Sequence, residues 1–155
     1  MAYDEQPAER TRETLSDEGP LPELVETVLA VPLHRTLGLR LIDPDDAAAG
    51  VELDVRGAAL NPSRVLHGAV APLMMDVACY LAVMAELEPG ANAVTVSIAS
   101  SLLTAVPAGA RVRAHGRIDR RGRGLAHLSA TVHDGERLVA TAQVVKALVL
   151  PQGSV

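Results

Sequence analysis

Residues 61–85, NPSRVLHGAVAPLMMDVACYLAVMA, pass from a polar loop into a segment in which almost every side chain is apolar. A helix that is apolar all round is normally buried on every side, so this segment predicts the central helix of the fold. Pro72 is tolerated in the first turn of a helix, which places the predicted start near Gly68. Asp76 carries the only charge between residues 69 and 85. Aspartate is rarely buried without a partner, and a carboxylate beside an apolar cleft is a candidate general base or nucleophile.

The loop before this helix offers backbone hydrogen-bond donors. The first N–H groups of a helix lack intrahelical partners and lie at the positive end of its dipole, so the N–H of Gly68 is a predicted donor to a carbonyl or an oxyanion. Asp76 lies about 12 Å further along the helix axis. Because that is too far for one attack geometry, we expect each site to combine Gly68 of one subunit with Asp76 of another.

Hydrophobic alternation predicts strands on both sides of the central helix. We expect a short helix over residues 22–31, ended by Pro32, and a central helix that ends near residues 88–90. The predicted strands cover residues 37–42 and 51–56, on either side of an Asp-Pro-Asp-Asp turn, and residues 91–103, 110–119, 125–133 and 137–148. An α+β fold, in which an antiparallel sheet encloses the helix, is the simplest packing that buries it.

Length and charge predict one domain with an acidic tail. The chain has 155 residues, of which 48% are hydrophobic, so we expect a single domain over residues 21–150. Residues 1–26 carry eight acidic side chains and two arginines, and they account for the net charge of −5. Residues 1–20 are nearly free of large apolar groups, which predicts a disordered tail.

Composition also narrows the partners and the compartment. The acidic chain lacks a basic, aromatic face, so we expect no nucleic-acid binding. We identify no membrane span and no signal peptide. Cys79 is the only cysteine and lies in the apolar helix, which favours an inert core thiol in a reducing compartment, the cytoplasm.

Asn61, His67, Gly68 and Asp76, at these spacings, closely resemble the motif of hotdog-fold thioesterases of the phenylacetic-acid degradation (PaaI-like) type. The resemblance extends over residues 33–148 and includes Thr95, where the family has a serine or threonine near the carboxylate. It implies a hotdog fold, with an antiparallel sheet wrapped around a long central helix. It also implies hydrolysis of an acyl-CoA thioester by a homodimer or homotetramer, with no cofactor besides the CoA of the substrate.

The resemblance assigns a role to each residue of the motif. Asp76 attacks the thioester carbonyl or activates water, and the Gly68 N–H polarises that carbonyl. Asn61 and His67 position the reacting groups, and Thr95 supports the carboxylate or the water. Ala69 replaces the second glycine of the family motif but keeps its backbone N–H.

Arginines are the predicted partners of the CoA phosphates. Arg121 and Arg123 belong to a cluster around the hairpin at residues 120–124, and Arg64 stands at a loop position that is often glycine in the family. A solvated hairpin tip explains the cluster equally well. The histidines show no paired ligand spacing, so no metal site is predicted.

Other interpretations stay open. Asp76 is also compatible with a structural aspartate that caps a neighbouring backbone, and Asn61 and Thr95 with an ordinary turn and strand residue. A non-catalytic acyl-CoA-binding hotdog protein, or a hotdog enzyme acting on acyl-carrier-protein substrates, is an alternative function. The absence of Phe and Trp favours aliphatic over aromatic acyl groups.

Overall fold

The computed structural model describes residues 21–149 and Pro151. The predicted acidic tail, residues 1–20, lies outside them, so its disorder stays a prediction. The helices are α1 (Leu21–Ala30), α2 (Pro32–Leu37) and α3 (Val70–Met84), with a 3₁₀ turn at Gly57–Ala59. The strands are β1 (Arg40–Asp43), β2 (Asp46–Asp54), β3 (Asn92–Leu102), β4 (Arg111–Arg121), β5 (Leu125–Asp134) and β6 (Arg137–Val149).

The strands form one six-stranded antiparallel sheet in the order β1-β2-β4-β5-β6-β3. The long helix α3 packs against it, and Met74, Met75 and Leu81 of the helix share the core with Val112 of β4 and Leu128 of β5. The predicted hotdog fold, an α+β fold with an antiparallel sheet around a central helix, is confirmed. Within residues 21–149, no helix is long and apolar enough to cross a membrane.

The region after Pro32 differs from the prediction. Pro32 was expected to end the first helix, yet it begins a second one, since proline lacks an N–H and suits the first position of a helix. This helix, α2, ends at Gly38, which has a left-handed conformation with φ of 70°. The strand predicted over residues 37–42 was therefore wrong at its start, because β1 begins only at Arg40.

The strand after the Asp-Pro-Asp-Asp turn is longer than predicted. It starts at Asp46 rather than at Val51. The Asp43 side chain accepts a hydrogen bond from the Asp45 N–H at 2.9 Å, which closes the turn in very few residues. The prediction leaves residues 46–50 outside the strand, whereas the short turn allows them to extend β2.

Strand β3 lies at an edge of the sheet and is exposed on both of its faces. Apart from Ala93, its side chains from Asn92 to Leu102 are exposed, including the large apolar groups of Val94, Val96 and Ile98. Val96 is 60% exposed. A long apolar edge strand is a surface on which another chain can pair.

Candidate active site

Leu73, Asp76 and Tyr80 share one face of α3, at spacings of three and four residues, and all three are only partly buried. This face lines a cavity of about 270 Å³. The other lining residues come from the two N-terminal helices and from two strands: Val28, Val31, His34, Thr95 and Lys146, together with Val77 of α3. The cavity thus brings Asp76 next to elements that are far from it in sequence.

Asp76 is held through one of its two oxygens. Its Oδ1 accepts hydrogen bonds from Thr95 Oγ1 at 2.8 Å and from Lys146 Nζ at 2.9 Å. The side chain of Asp76 remains 33% exposed. Among residues 21–149, no backbone N–H donates to Asp76, so the structure does not use it to cap a neighbouring backbone. Its carboxylate is anchored at one oxygen and accessible from the cavity.

Lys146 is the partner of Asp76 that the sequence analysis missed. It lies on the face of β6 that carries Ala142 and Val144, and only 1% of it is exposed. The sequence contains an indication of this role, because the alternation along β6 predicts an apolar, buried side chain at position 146, where the chain has a lysine. Its ammonium also lies 5.5 Å from the centre of the Tyr80 ring, within the range of a cation–π interaction.

His34 lines the cavity and is partly buried. Its Nδ1 donates to the Val28 carbonyl at 2.6 Å, because a carbonyl oxygen can only accept. In a neutral ring, Nε2 is then left as an acceptor. The sequence analysis predicts no helix at α2, the element that places His34 beside α3 in the cavity.

Asn61 organises the loop that precedes α3. Its Oδ1 accepts from the N–H groups of Ser63 at 3.0 Å and Val65 at 3.2 Å. The carboxamide oxygen is thus committed to the turn, as expected of an asparagine before proline. Among the residues that the structure describes, nothing hydrogen-bonds to its Nδ2, which is the group left for a ligand.

Gly68 and His67 present two hydrogen-bond donors at the exposed side of the same loop. The Gly68 N–H donates to no residue in the described part of the chain. The Ala69 N–H donates to His67 Nδ1 at 3.1 Å, so a neutral His67 ring carries its proton on Nε2. Because α3 begins only at Val70, the Gly68 N–H lies just before the helix rather than in its first turn, where the sequence analysis had placed it.

Gly68 and Asp76 of one subunit are well separated. A Cβ on Gly68 would stand 3.5 Å from the Leu102 side chain, whereas Asp76 is bonded to Thr95. These two β3 residues are seven positions apart, which is roughly 20 Å along a strand. One chain therefore does not direct Gly68 and Asp76 at the same atom.

The predicted phosphate-binding arginines fall into two regions. Arg64 lies in the loop before α3, and it adopts a left-handed conformation with φ of 59°. Arg121 lies at the opposite end of α3, where its Nη1 donates to the Glu86 carbonyl at 2.9 Å. Arg123 is exposed at the tip of the hairpin between β4 and β5. Within one chain, the length of α3, about 22 Å, separates Arg64 from the other two.

A second cavity, of about 370 Å³, lies on the outer face of the sheet between β4, β5 and β6. Although it is larger, its lining has no carboxylate, and its side chains, including His115, Thr131 and Gln143, point away from α3. We therefore assign the candidate site to the smaller cavity at Asp76. No group of three or more His, Cys, Asp or Glu side chains that could hold a metal occurs among residues 21–149.

Solved structures with this fold include two informative relatives. A phenylacetic acid degradation-related protein from Ralstonia eutropha JMP134 is 28% identical, with a TM-score of 0.67 over 82% of this chain and 98% of that one. A protein from Bacillus halodurans, solved with CoA, is 22% identical, with a TM-score of 0.70 over 83% of each chain. At that lower identity, the second comparison bears on the fold alone.

Sequence comparisons point to the same group of proteins. A curated protein of Pseudomonas aeruginosa that carries an esterase name is 33% identical over 82 residues, which are 53% of this chain and 61% of that protein. The family model of the thioesterase superfamily matches residues 64–141, half of the chain, from the loop before α3 into β6. The chain therefore belongs to the thioesterase superfamily.

Proposed function

We propose that the protein hydrolyses an acyl-CoA thioester at a site shared between two subunits. The observation that carries this proposal is the environment of Asp76, a carboxylate held at Oδ1 by Thr95 and Lys146 and open to a cavity of about 270 Å³. A carboxylate in this setting suits a general base or a nucleophile. Membership of the thioesterase superfamily indicates the bond on which it acts.

The reaction consumes one water and releases a free acid and a thiol. In the general-base route, Asp76 removes a proton from water, and the hydroxide adds to the thioester carbonyl carbon. The N–H of Gly68 and the Nε2–H of His67, from the facing subunit, stabilise the negative charge on the carbonyl oxygen. The C–S bond then breaks, and the thiolate takes up the proton from Asp76.

In the nucleophile route, Asp76 attacks the carbonyl carbon directly and expels the thiolate, so that a mixed anhydride forms. Water then cleaves the anhydride to the free acid and the Asp76 carboxylate, and a proton from that water converts the thiolate into the thiol. A single turnover in H₂¹⁸O tests for this route. Label found in the Asp76 carboxylate after the first turnover arises only when water attacks the Asp76 carbon of an anhydride. Label confined to the product acid is expected both from the general-base route and from water attack at the acyl carbon of an anhydride.

The exposed edge strand β3 supports a shared site. Val94, Val96 and Ile98 are exposed, and an antiparallel pairing of two β3 strands would satisfy the backbone groups of both edges and join the two sheets. Such a pairing places the loop of one subunit near the β3 strand of the other, and Thr95 of that strand is bonded to Asp76. The protein is accordingly proposed to be a homodimer, alone or as half of a homotetramer.

CoA is the proposed carrier of the acyl group. The Bacillus halodurans relative was solved with CoA. Arg64, Arg121 and Arg123 are basic, lie at the surface and suit the CoA phosphates. Cys79, the only cysteine of the chain, is a buried free thiol. This agrees with a reducing compartment, and we propose the cytoplasm.

Thiol release from a panel of aliphatic and aromatic acyl-CoAs tests the function. We expect wild type to hydrolyse at least one member and Asp76→Asn to lose on the order of 10²- to 10⁴-fold in kcat. Asp119→Asn is the matched control, because Asp119 lies outside the cavity and bonds to Arg117 and Ser129. A folded wild type that turns over no member would instead indicate a binding protein or a carrier-protein substrate.

Hybrid dimers test whether the site is shared. Asp76→Asn and His67→Ala chains, co-expressed with different tags and purified as heterodimers, would contain one site with both defects and one site with none. We expect about half of the wild-type activity per dimer, since a two-fold symmetric dimer has two equivalent sites. A heterodimer as inactive as its parents would show that each chain forms its site alone.

A further inference from the structure

Lys146 carries its charge in an apolar, buried environment. It occupies the inner face of β6 beside Val144, and 1% of it is exposed. An ammonium ion removed from water is very costly unless it is paired and hydrogen-bonded. Its pairing partner is Asp76, whose side chain is 33% exposed. The desolvation cost of this ion pair therefore falls almost wholly on the lysine, whereas the carboxylate keeps its access to the cavity.

The hydrogen-bond directions between these groups are determined by their chemistry. Lys146 Nζ can only donate, and it does so to Thr95 Oγ1 at 2.8 Å and to Asp76 Oδ1 at 2.9 Å. An ionised Asp76 can only accept, so the Thr95 hydroxyl gives its one proton to Oδ1, at 2.8 Å. The three side chains form a closed triangle in which Thr95 has no proton left for another acceptor.

The triangle leaves the two oxygens of Asp76 unequal. Both hydrogen bonds converge on Oδ1. No side chain or backbone group within residues 21–149 donates to Oδ2. Turning the carboxylate so that neither oxygen faces Lys146 and Thr95 would break two short bonds and leave the Lys146 ammonium buried without its counter-ion, which is strongly unfavourable. The carboxylate is thus held in one orientation.

From this geometry we infer that Lys146 is a positioning residue for Asp76: its buried ammonium holds Oδ1, so that Oδ2 is the oxygen that reacts with water or the acyl carbon. This inference rests on the proposed function, because it names the reacting atom of that same site. A purely structural role is less consistent with the geometry, since a buried ion pair adds little net stability and here one partner opens to the cavity.

The kinetic test uses one substitution at position 146 and one control substitution at position 144. Lys146→Met keeps an unbranched apolar side chain that is one atom shorter and removes the charge. We expect its kcat to fall by on the order of 10- to 100-fold with KM nearly unchanged, because the misplaced carboxylate affects the reacting geometry rather than substrate binding. Val144→Ala, on the same buried face, is the matched control and should lower thermal stability while leaving kcat near that of wild type.

Chemical rescue separates a positioning role from a packing role. Lys146→Ala removes the ammonium, and the adjoining cavity gives a small amine access to the vacated space. Methylammonium should restore kcat in a saturable manner, whereas tetramethylammonium, which has no N–H, should not. A folded Lys146→Met enzyme with wild-type kcat, or equal rescue by both cations, would overturn the inference.

A crystal structure of wild type with a non-hydrolysable thioester analogue gives a test that needs no variant. We expect Oδ2 of Asp76 to lie nearest the analogue carbonyl carbon or its bridging water, and an approach by Oδ1 would refute the proposal. The proposed hydrolysis and the positioning role of Lys146 can be refuted separately. An inactive wild type removes the proposed function together with this inference, whereas an active wild type with an equally active Lys146→Met variant removes only the latter.

Discussion

Gly116 of β4 lies so close to Ala78 of α3 that a Cβ atom on Gly116 would stand 2.7 Å from the carbonyl carbon of Ala78. Helix and sheet therefore approach each other backbone to backbone at this point. Ala78 follows Asp76 by two residues, so this contact helps to determine the depth at which α3 sits against the sheet. The absence of a side chain at residue 116 is what permits that depth.

Replacement of Gly116 by alanine should therefore destabilise the fold. Because the atoms that the new methyl group meets belong to the helix backbone, they cannot rotate away, and we expect a loss of about 1–3 kcal/mol in the free energy of unfolding. Gly124→Ala is the control, since a Cβ there meets nothing within 4 Å. Urea denaturation of both variants measures the difference, and equal midpoints would contradict the proposed close approach.

Arg64 should be replaceable by glycine with a gain in stability. It is the one non-glycine residue with positive φ in the part of the chain that the structure describes, and a left-handed conformation costs an ordinary residue on the order of 1 kcal/mol. Arg64→Gly should raise the free energy of unfolding by about that amount. An unchanged or lower value in thermal or urea unfolding would contradict the strain.

The same variant tests the proposed contact of Arg64 with CoA. If its guanidinium binds a phosphate of CoA, Arg64→Gly should raise KM for an acyl-CoA but not for the matching acyl-pantetheine, which lacks the nucleotide phosphates. A KM that rises equally for both substrates would place the effect in the loop rather than in phosphate binding.

Glu52 should make stability depend on pH in the acid range. Burial disfavours its ionised form, but hydrogen bonds from Arg113 and Arg40, both at 2.9 Å, outweigh this and hold the pKa of the Glu52 carboxyl below its usual value of 4.5. Because the pKa is lower in the folded state, the stabilisation is complete above the unfolded value and is lost as pH falls through the folded value.

Thermal unfolding between about pH 6 and about pH 3 measures this dependence, and Glu52→Gln should show a smaller decline in Tm than wild type. Asp134→Asn serves as the control, since its exposed ion pair with Arg137 contributes little. Parallel curves for wild type and Glu52→Gln would show that the Glu52 network does not supply the acid sensitivity.

Cys79 should be chemically inert in the folded protein. Burial raises the pKa of its thiol to about 12, and the thiolate is the form that reacts. We expect no reaction with a disulfide reagent at about pH 8 under native conditions and one reactive thiol per chain after unfolding in guanidinium. Rapid labelling of the native protein would place the thiol at an accessible surface and contradict its burial.

Local patterns predicted the elements of this fold that depend on neighbouring residues. Alternation identified β3 to β6 within a few residues of their observed ends, and the apolar run identified α3, although this helix ends at Met84 rather than near residues 88–90. The errors lie where two local rules compete. Pro32 both ends one helix and begins another, and the acidic turn after β1 is tighter than its composition indicates. At both places, the observed structure depends on how the flanking segments pack against the rest of the fold.

The candidate site was predictable in part for the same reason. Asn61, His67, Gly68 and Asp76 lie within one short stretch, so their spacing and types were readable together. The sequence analysis does not identify Lys146. A lysine at an apolar position of β6 is visible in the sequence, but the local pattern does not indicate which residue pairs with it. Asp76 and Lys146 are 70 positions apart, and they meet only because α3 packs against the face of the sheet on which Lys146 of β6 lies.

By itself, the sequence determined that an apolar helix with one carboxylate would be covered by an antiparallel sheet and preceded by a loop of hydrogen-bond donors. These features follow from side-chain periodicity and turn chemistry, which act over a few residues. Only the tertiary structure decided that Lys146 joins Thr95 in holding Oδ1 of Asp76 and that α2 brings His34 to the cavity. The physical reason is that the strand order and the packing of the helices determine which distant side chains become neighbours.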